Sequence, residues 1–159
     1  MTKSPLLQGV TLTDGGQKTV QGETLGQNGA VLALFFAADW CPDCRVFQPV
    51  LNRFYDAVQD QLDIVFVSSD ASVTDQLSHL NEKQRKWWMV PFEDEKTRSQ
   101  LKRTFGVCAS AETKELSPIA RKKGIPALVV IRPNGDVVDF EAGETIEREG
   151  VKAIEQWKK

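Results

Sequence analysis

Unbroken apolar runs alternate with helix-period stripes along this chain. Residues 31–37 are apolar at every position and lie between Gly29 and Asp39. A half-exposed strand alternates apolar and polar residues, so this run predicts a strand covered on both faces. From Pro42 to about Val58 the apolar residues Val46, Val50, Leu51, Phe54 and Val58 recur at helical spacing. Pro42 suits the first helical position, whereas Pro49 removes a donor inside the helix and predicts a kink. Residues 64–67 read as a second buried strand. Strand, helix, strand in that order predicts a parallel pair with a right-handed crossover.

The remaining elements are weaker. Residues 72–85 are mostly polar and predict a helix. A short helix follows over 96–105, with Leu101 and Phe105 as its apolar positions. Residues 108–123 are polar, and Leu116 and Ile119 offer one weak helical turn. Residues 127–131 predict a strand. The turn signal Arg132-Pro133-Asn134-Gly135-Asp136 then sends residues 137–140 back antiparallel. Ile146, Val151, Ile154 and Trp157 mark one amphipathic terminal helix. Residues 1–29 are turn-rich, with Asp14-Gly15-Gly16, Gly22, Gly26 and Asn28-Gly29, and Val10-Thr11-Leu12 predicts a short edge strand. The order is β-α-β-α, then β-β-α. It describes an α/β protein with a central mixed sheet flanked by helices on both faces.

At 159 residues, with no internal repeat or linker, one domain over residues 1–159 is expected. The formal charge of -2, from 20 basic and 22 acidic residues, implies no phosphate-binding face, so no nucleic-acid partner is expected. Residues 1–7 lack the apolar core of a signal peptide. The longest apolar run, 30–38, falls far short of the ~20 residues of a membrane span. Three cysteines without a secretory signal argue for a reducing, cytoplasmic setting rather than a disulfide scaffold.

The chemistry concentrates in Trp40-Cys41-Pro42-Asp43-Cys44, between the first buried strand and the first helix. Unpaired N–H groups at a helix N-terminus stabilise a thiolate, and the thiolate is the nucleophile. Cys41 therefore reads as the exposed attacking thiol and Cys44 as the shielded, resolving one. The same spacing is half of a zinc site, which takes about four ligands. Only Cys108 and His79 could add to the pair, and neither has zinc-ribbon spacing. The strand–CxxC–helix context favours redox chemistry, with no metal and no cofactor beyond a Cys41–Cys44 disulfide. Cys108 is either a small buried residue or a regulatory thiol, and a two-cysteine cycle does not need it. His79 reads as a solvated helix residue. Trp87 and Trp88 are adjacent and cannot both face inward, which leaves one for the core and one for an exposed position near the site.

The run Phe35-Phe36-Ala37-Ala38-Asp39-Trp40-Cys41-Pro42-Asp43-Cys44-Arg45 continues into Phe47, Pro49, Leu51 and Phe54-Tyr55. It resembles the tryparedoxin/nucleoredoxin branch of the thioredoxin superfamily, whose signature is Trp-Cys-Pro-Pro-Cys-Arg-x-Phe-x-Pro-x-Leu. The segments at 64–70, Trp87 with Val90-Pro91-Phe92, Phe105-Gly106-Val107, Gly124-Ile125-Pro126 and Asn134-Gly135-Asp136 match in order downstream. The resemblance implies a thioredoxin fold in which a cis Ile125–Pro126 bond faces the cysteines. It implies a dithiol oxidoreductase and a monomer. Its acceptors would be disulfide-containing proteins such as peroxidases, and its donor a trypanothione-like dithiol or a thioredoxin-reductase-type system. Trp40 would shield the disulfide and help dock the substrate, with Arg45 adding positive potential. The alternative is a redox-switched binding module with little turnover.

Four features depart from that pattern. Asp43 replaces the second proline, Ser69 replaces a frequent tryptophan, and residues 108–123 form an insertion before the proline loop. The buried acid of ordinary thioredoxins, which helps deprotonate the second cysteine, aligns with Phe35, and the base for Cys44 stays unassigned.

Asp43 carries a redox expectation. Its favourable interaction with the helix dipole is present in both redox forms and largely cancels. Its repulsion of a neighbouring thiolate exists only in the reduced form, so it favours the disulfide. Asp43→Asn should raise the reduction potential by up to ~30 mV at low salt, as measured by equilibration with a reference dithiol. An unchanged potential would confine Asp43 to a helix-capping role.

Overall fold

A computed structural model of the chain describes residues 5–27, 29–85 and 87–158. Asn28 of the predicted Asn28-Gly29 turn and residues 1–4 lie outside the described set. The strands are β1 (Thr11–Thr13), β2 (Thr19–Gln21), β3 (Val31–Ala37), β4 (Leu62–Ser68), β5 (Trp88–Met89), β6 (Ala127–Ile131) and β7 (Val137–Asp139). The helices are α1 (Pro42–Val58), α2 (Val73–Ser78), α3 (Glu95–Phe105), α4 (Ala142–Glu149) and α5 (Ala153–Lys158). One mixed sheet has the order β2-β1-β5-β4-β3-β6-β7. At its centre β3 runs parallel to β4 and antiparallel to β6.

All seven residues of β3 are buried. Their alternation feeds two cores, because successive side chains leave opposite faces of a strand. Ala33, Phe35 and Ala37 pack with Cys44, Phe47, Leu51 and Phe54 of α1 and with Ile146, Ile154 and Trp157. Leu32, Leu34 and Phe36 pack with Leu101 and Phe105 of α3 and with Leu7, Leu12 and Leu25. Each fully buried large apolar side chain contributes roughly 1.5–3 kcal/mol of transfer free energy, so β3 is held from both sides. Its C-terminal end, where the cysteines follow, is correspondingly rigid.

Several sequence expectations change in three dimensions. The buried stripe of α1 runs through Cys44, Phe47, Leu51, Phe54 and Val58, while Val46 is 75% exposed. The N-terminal segment is part of the sheet: β1 pairs antiparallel with both β2 and β5. β1 is therefore an inner strand, and the edge is the short polar β2. The expected terminal helix is two helices, because Gly150 turns with a φ of 60° between them, and Val151 is exposed. α3 begins one residue before the expected 96–105 helix and carries caps that the apolar spacing did not reveal. Asp94 accepts from the N–H of Thr97 at 3.2 Å, and Gly106 closes the helix with a φ of 69°.

The predicted helix over 72–85 ends as α-helix at Ser78 and continues as a wide π-type turn over His79–Lys83. The change of pitch rotates His79 inward. It is fully buried, edge-on to the Phe66 ring at 5.1 Å, rather than solvated. Trp87 is buried between Tyr55 and Phe35 and donates to Gln84 Oε1 at 2.6 Å. Trp88 is half-buried and packs on the opposite face of the sheet, not as an exposed aromatic.

Burial pushes the His79 pKa down to about 4 from 6.5. Lys83 and Arg45 reinforce that shift, and Asp39 opposes it. Among the described residues neither ring nitrogen has a hydrogen-bond partner. The folded protein therefore holds neutral imidazole where the unfolded chain takes up a proton. Stability from this group is complete above pH 6.5 and falls as the pH drops towards 4, by on the order of 3 kcal/mol. Urea melts from pH 7 to 4 should show the gap between wild type and His79→Gln narrowing by about that amount. A gap independent of pH would contradict a buried neutral imidazole.

Candidate active site

The chain leaves β3 at Ala37, turns through Ala38, Asp39 and Trp40, and enters α1. Cys41 is the N-cap of α1, and its Sγ accepts the backbone N–H of Cys44 at 3.2 Å. Pro42 at the first helical position loses no hydrogen bond, since that N–H has no intrahelical acceptor. The local sequence thus places one sulfur at the positive end of a helix and the other one turn in. All three cysteines are free thiols.

Both site cysteines are more enclosed than the sequence implies. Cys41 retains 5% of its surface and Cys44 none. The loop at Gly124-Ile125-Pro126 accounts for part of the cover: Cys41 Sγ lies 4.0 Å from the Ile125 carbonyl oxygen. The Ile125–Pro126 bond is cis, as is Ser117–Pro118. Accessibility still ranks the thiols in the expected order.

Burial raises the Cys44 thiol far above its ordinary value, and the hydrogen bond with Cys41 adds to the shift. The negative charges of Cys41 and Asp43 push the same way, against the backbone at Ala38. Phe35 stands fully buried against Phe47 and Phe66, so the position of the missing acid is filled by packing.

The turn before the cysteines is held at several points. The N–H of Asp39 donates to Asp70 Oδ1 at 2.7 Å, and Ser68 Oγ donates to Asp70 Oδ2 at 2.7 Å. Burial raises the Asp70 pKa, and these two donors work against the shift. The Asp39 carboxylate is paired with Lys83. Arg45 Nε donates to the Asp39 carbonyl at 2.8 Å, so Arg45 braces the turn. Trp40 is 51% exposed, and its indole N–H donates to the Ser69 carbonyl at 3.2 Å.

A cleft beside the thiols is lined by Asp43, Phe47, Lys123, Pro126, Gly143 and Glu144. Gly143 lets the helix approach Phe47, where a Cβ would stand 3.3 Å from the ring. Lys123, just before the proline loop, pairs with Glu141 and Glu144 of the α4 entry. Sequence reasoning missed Asp70, Lys83 and Lys123, which act through tertiary contacts; only an acid just past a buried strand hinted at Asp70. Cys108 is fully buried. Among the described residues no group of three or more His, Cys, Asp or Glu side chains is arranged to hold a metal ion.

Comparison with known proteins agrees with this geometry. Residues 29–137 match a family model described as Thioredoxin-like. Human nucleoredoxin-like protein 1 is 33% identical over 139 residues, covering 82% of this chain and 58% of that protein. Mouse nucleoredoxin is 30% identical over 136 residues, covering 84% of this chain and 27% of that protein. The chain therefore spans little more than half of one curated relative and about a quarter of the other. The solved thioredoxin of Wuchereria bancrofti superposes with a TM-score of 0.75 at 32% identity, over 91% of this chain and 90% of that one. Tryparedoxin I of Crithidia fasciculata gives a TM-score of 0.70 at 25% identity, over 90% and 88%. The fold is the thioredoxin fold. The chain belongs to the tryparedoxin/nucleoredoxin branch of the thioredoxin superfamily, a branch of thioredoxin-like oxidoreductases.

The raised Cys44 pKa and its zero exposure generate a direct test. Iodoacetamide on reduced protein at neutral pH should label Cys41 first, with Cys44 at least ~10-fold slower. Peptide mass spectrometry reads the order. Faster labelling of Cys44 would reverse the two assignments.

Proposed function

We propose that the chain reduces protein disulfides through a dithiol cycle of Cys41 and Cys44. The observation that carries this reading is Cys41 Sγ at the α1 N-terminus, 3.2 Å from the Cys44 amide, with Cys44 buried behind it. Cys41 thiolate attacks one sulfur of a substrate disulfide, and the other sulfur leaves as a thiolate. A mixed disulfide joins Cys41 to the substrate. Cys44 loses its proton as it attacks Cys41 Sγ, and the second substrate sulfur departs as a thiolate. Two electrons have moved to the substrate, whose thiolates take up two protons, and the protein holds a Cys41–Cys44 disulfide. An external dithiol, of trypanothione-like or thioredoxin-reductase-linked type, returns it to the reduced form.

The burial of Cys44 gives the resolving step its character. A neutral buried thiol does not compete for the incoming substrate, so attack is left to Cys41. Trp40 and the Ile125 carbonyl flank the sulfur and suit an extended substrate segment. Disulfide-containing proteins such as peroxidases are the acceptors this reading favours, acting with a cytoplasmic monomer.

A half-exposed Trp40 beside a redox pair also suits a binding module switched by oxidation, and turnover separates the two readings. With oxidised insulin as substrate and a small dithiol as donor, Cys41→Ser should lose roughly 10³-fold or more of the turnover. Cys108→Ser should keep most of it, and Cys44→Ser should accumulate a mixed disulfide that reductant releases. Wild-type protein that turns over nothing, yet changes partner affinity on oxidation, would select the switch.

A further inference from the structure

Ser69 and residues 108–123, two of the departures from the tryparedoxin pattern, meet in space. Ser69 Oγ donates to Glu112 Oε1 at 2.6 Å. The same oxygen accepts the N–H of Ala109 at 3.0 Å. Glu112 Oε2 takes a 2.6 Å ion pair from Lys102 of α3. Lys102 is 3% and Glu112 13% exposed, so this is a largely desolvated carboxylate with three donors. Such a pair is costly to bury unless its geometry is fully satisfied, and its common use is to specify an arrangement rather than to add stability.

The arrangement specified is that of Ser69. Its N–H donates to the Ala37 carbonyl at 2.9 Å, its hydroxyl is held by Glu112, and its carbonyl accepts the Trp40 indole at 3.2 Å. Trp40 is exposed over half its surface, and this is the hydrogen bond of its indole nitrogen. An exposed indole with free rotamers would lose entropy on docking. One whose N–H is anchored to a rigid carbonyl has lost it beforehand. Trp40, Ser69, Lys102 and Glu112 line one cleft of about 650 Å³, and Pro126 lines a different one.

We propose that Glu112 is a positioning residue: acting through Ser69, it holds Trp40 in its docking pose beside Cys41. The 108–123 segment thereby tunes recognition of the protein disulfide without touching the sulfurs. The kinetic part of this inference rests on the reductase reading; the positional part does not.

The test uses the full chain labelled with 5-fluorotryptophan. Its four tryptophans give four fluorine resonances, and Trp40→Phe assigns the relevant one. Ser69→Ala and Glu112→Ala should each shift or broaden the Trp40 signal and leave those of Trp87, Trp88 and Trp157 in place. Glu112→Gln keeps an acceptor for Ser69 and Ala109 but loses the oxygen that pairs with Lys102, so its Trp40 signal should lie between those of wild type and Glu112→Ala. Ser69→Ala keeps the Glu112–Lys102 pair, so it remains informative if Glu112→Ala fails to fold. With a protein disulfide, Ser69→Ala should raise KM about threefold to tenfold while kcat stays within about twofold. A Trp40 resonance unchanged in Ser69→Ala overturns the proposal, as does a fall in kcat with KM constant. A wild type without turnover would sink the reductase reading, yet the fluorine spectra would still decide whether Glu112 holds Trp40.

Discussion

Covering β3 on both faces is the constraint from which the rest of the structure follows. A strand with no polar position has no face to give to water, so helices and the N-terminal segment must pack on either side. α1, α4 and α5 close one face, and α3 with Leu7, Leu12 and Leu25 closes the other. The strand between them cannot shift register without moving its whole apolar set. Its C-terminal end is a fixed point, and the turn from Ala38 to Cys41 inherits that rigidity. Cys41 and Cys44 stand at the junction of this fully buried strand and the N-terminus of the helix that covers it.

Burial also dominates the electrostatics. For Cys44 and His79 desolvation is the largest cause of the pKa shift, and nearby charges only modify it. The two consequences differ. At Cys44 the cost falls on an anion, which keeps this thiol protonated at neutral pH. At His79 it falls on a cation, which makes the turn after α2 an acid-labile part of the core. Asp70 is exposed to the same penalty but has two hydrogen-bond donors, and it ties the β4 end to the turn before Cys41.

Around the sulfurs the protein uses backbone anchors more than direct contacts. Arg45, Asp70 and Ser69 all act on the 39–40 segment, from α1 and from the end of β4. Glu112 and Lys102 extend that support to α3 and the 108–123 segment. On the opposite side, Lys123 ties the proline loop to the α4 entry through Glu141 and Glu144. The two sides of the centre are thus held by different elements.

Local patterns were enough for β3, α1 and its start at Pro42, the body of α3, the β6–β7 hairpin and the position of the two cysteines. Each of these rests on periodicity, a cap or a turn residue that acts within a few positions. β2 and β5 escaped notice because strands of two or three residues exist only through their partners. His79, Val46 and the break at Gly150 were misread because a change of pitch or a single positive φ rotates every later side chain. Asp70, Lys83, Lys123 and Glu112 could not be placed in the site, since each reaches it across dozens of residues. The sequence by itself determined the Cys41/Cys44 spacing, the helix that carries it and the central buried strand, because these follow from short-range spacing and apolar content. Only the tertiary structure decided how deeply the thiols are buried and which distant side chains hold Trp40 and the proline loop, because burial and long-range hydrogen bonds arise from packing.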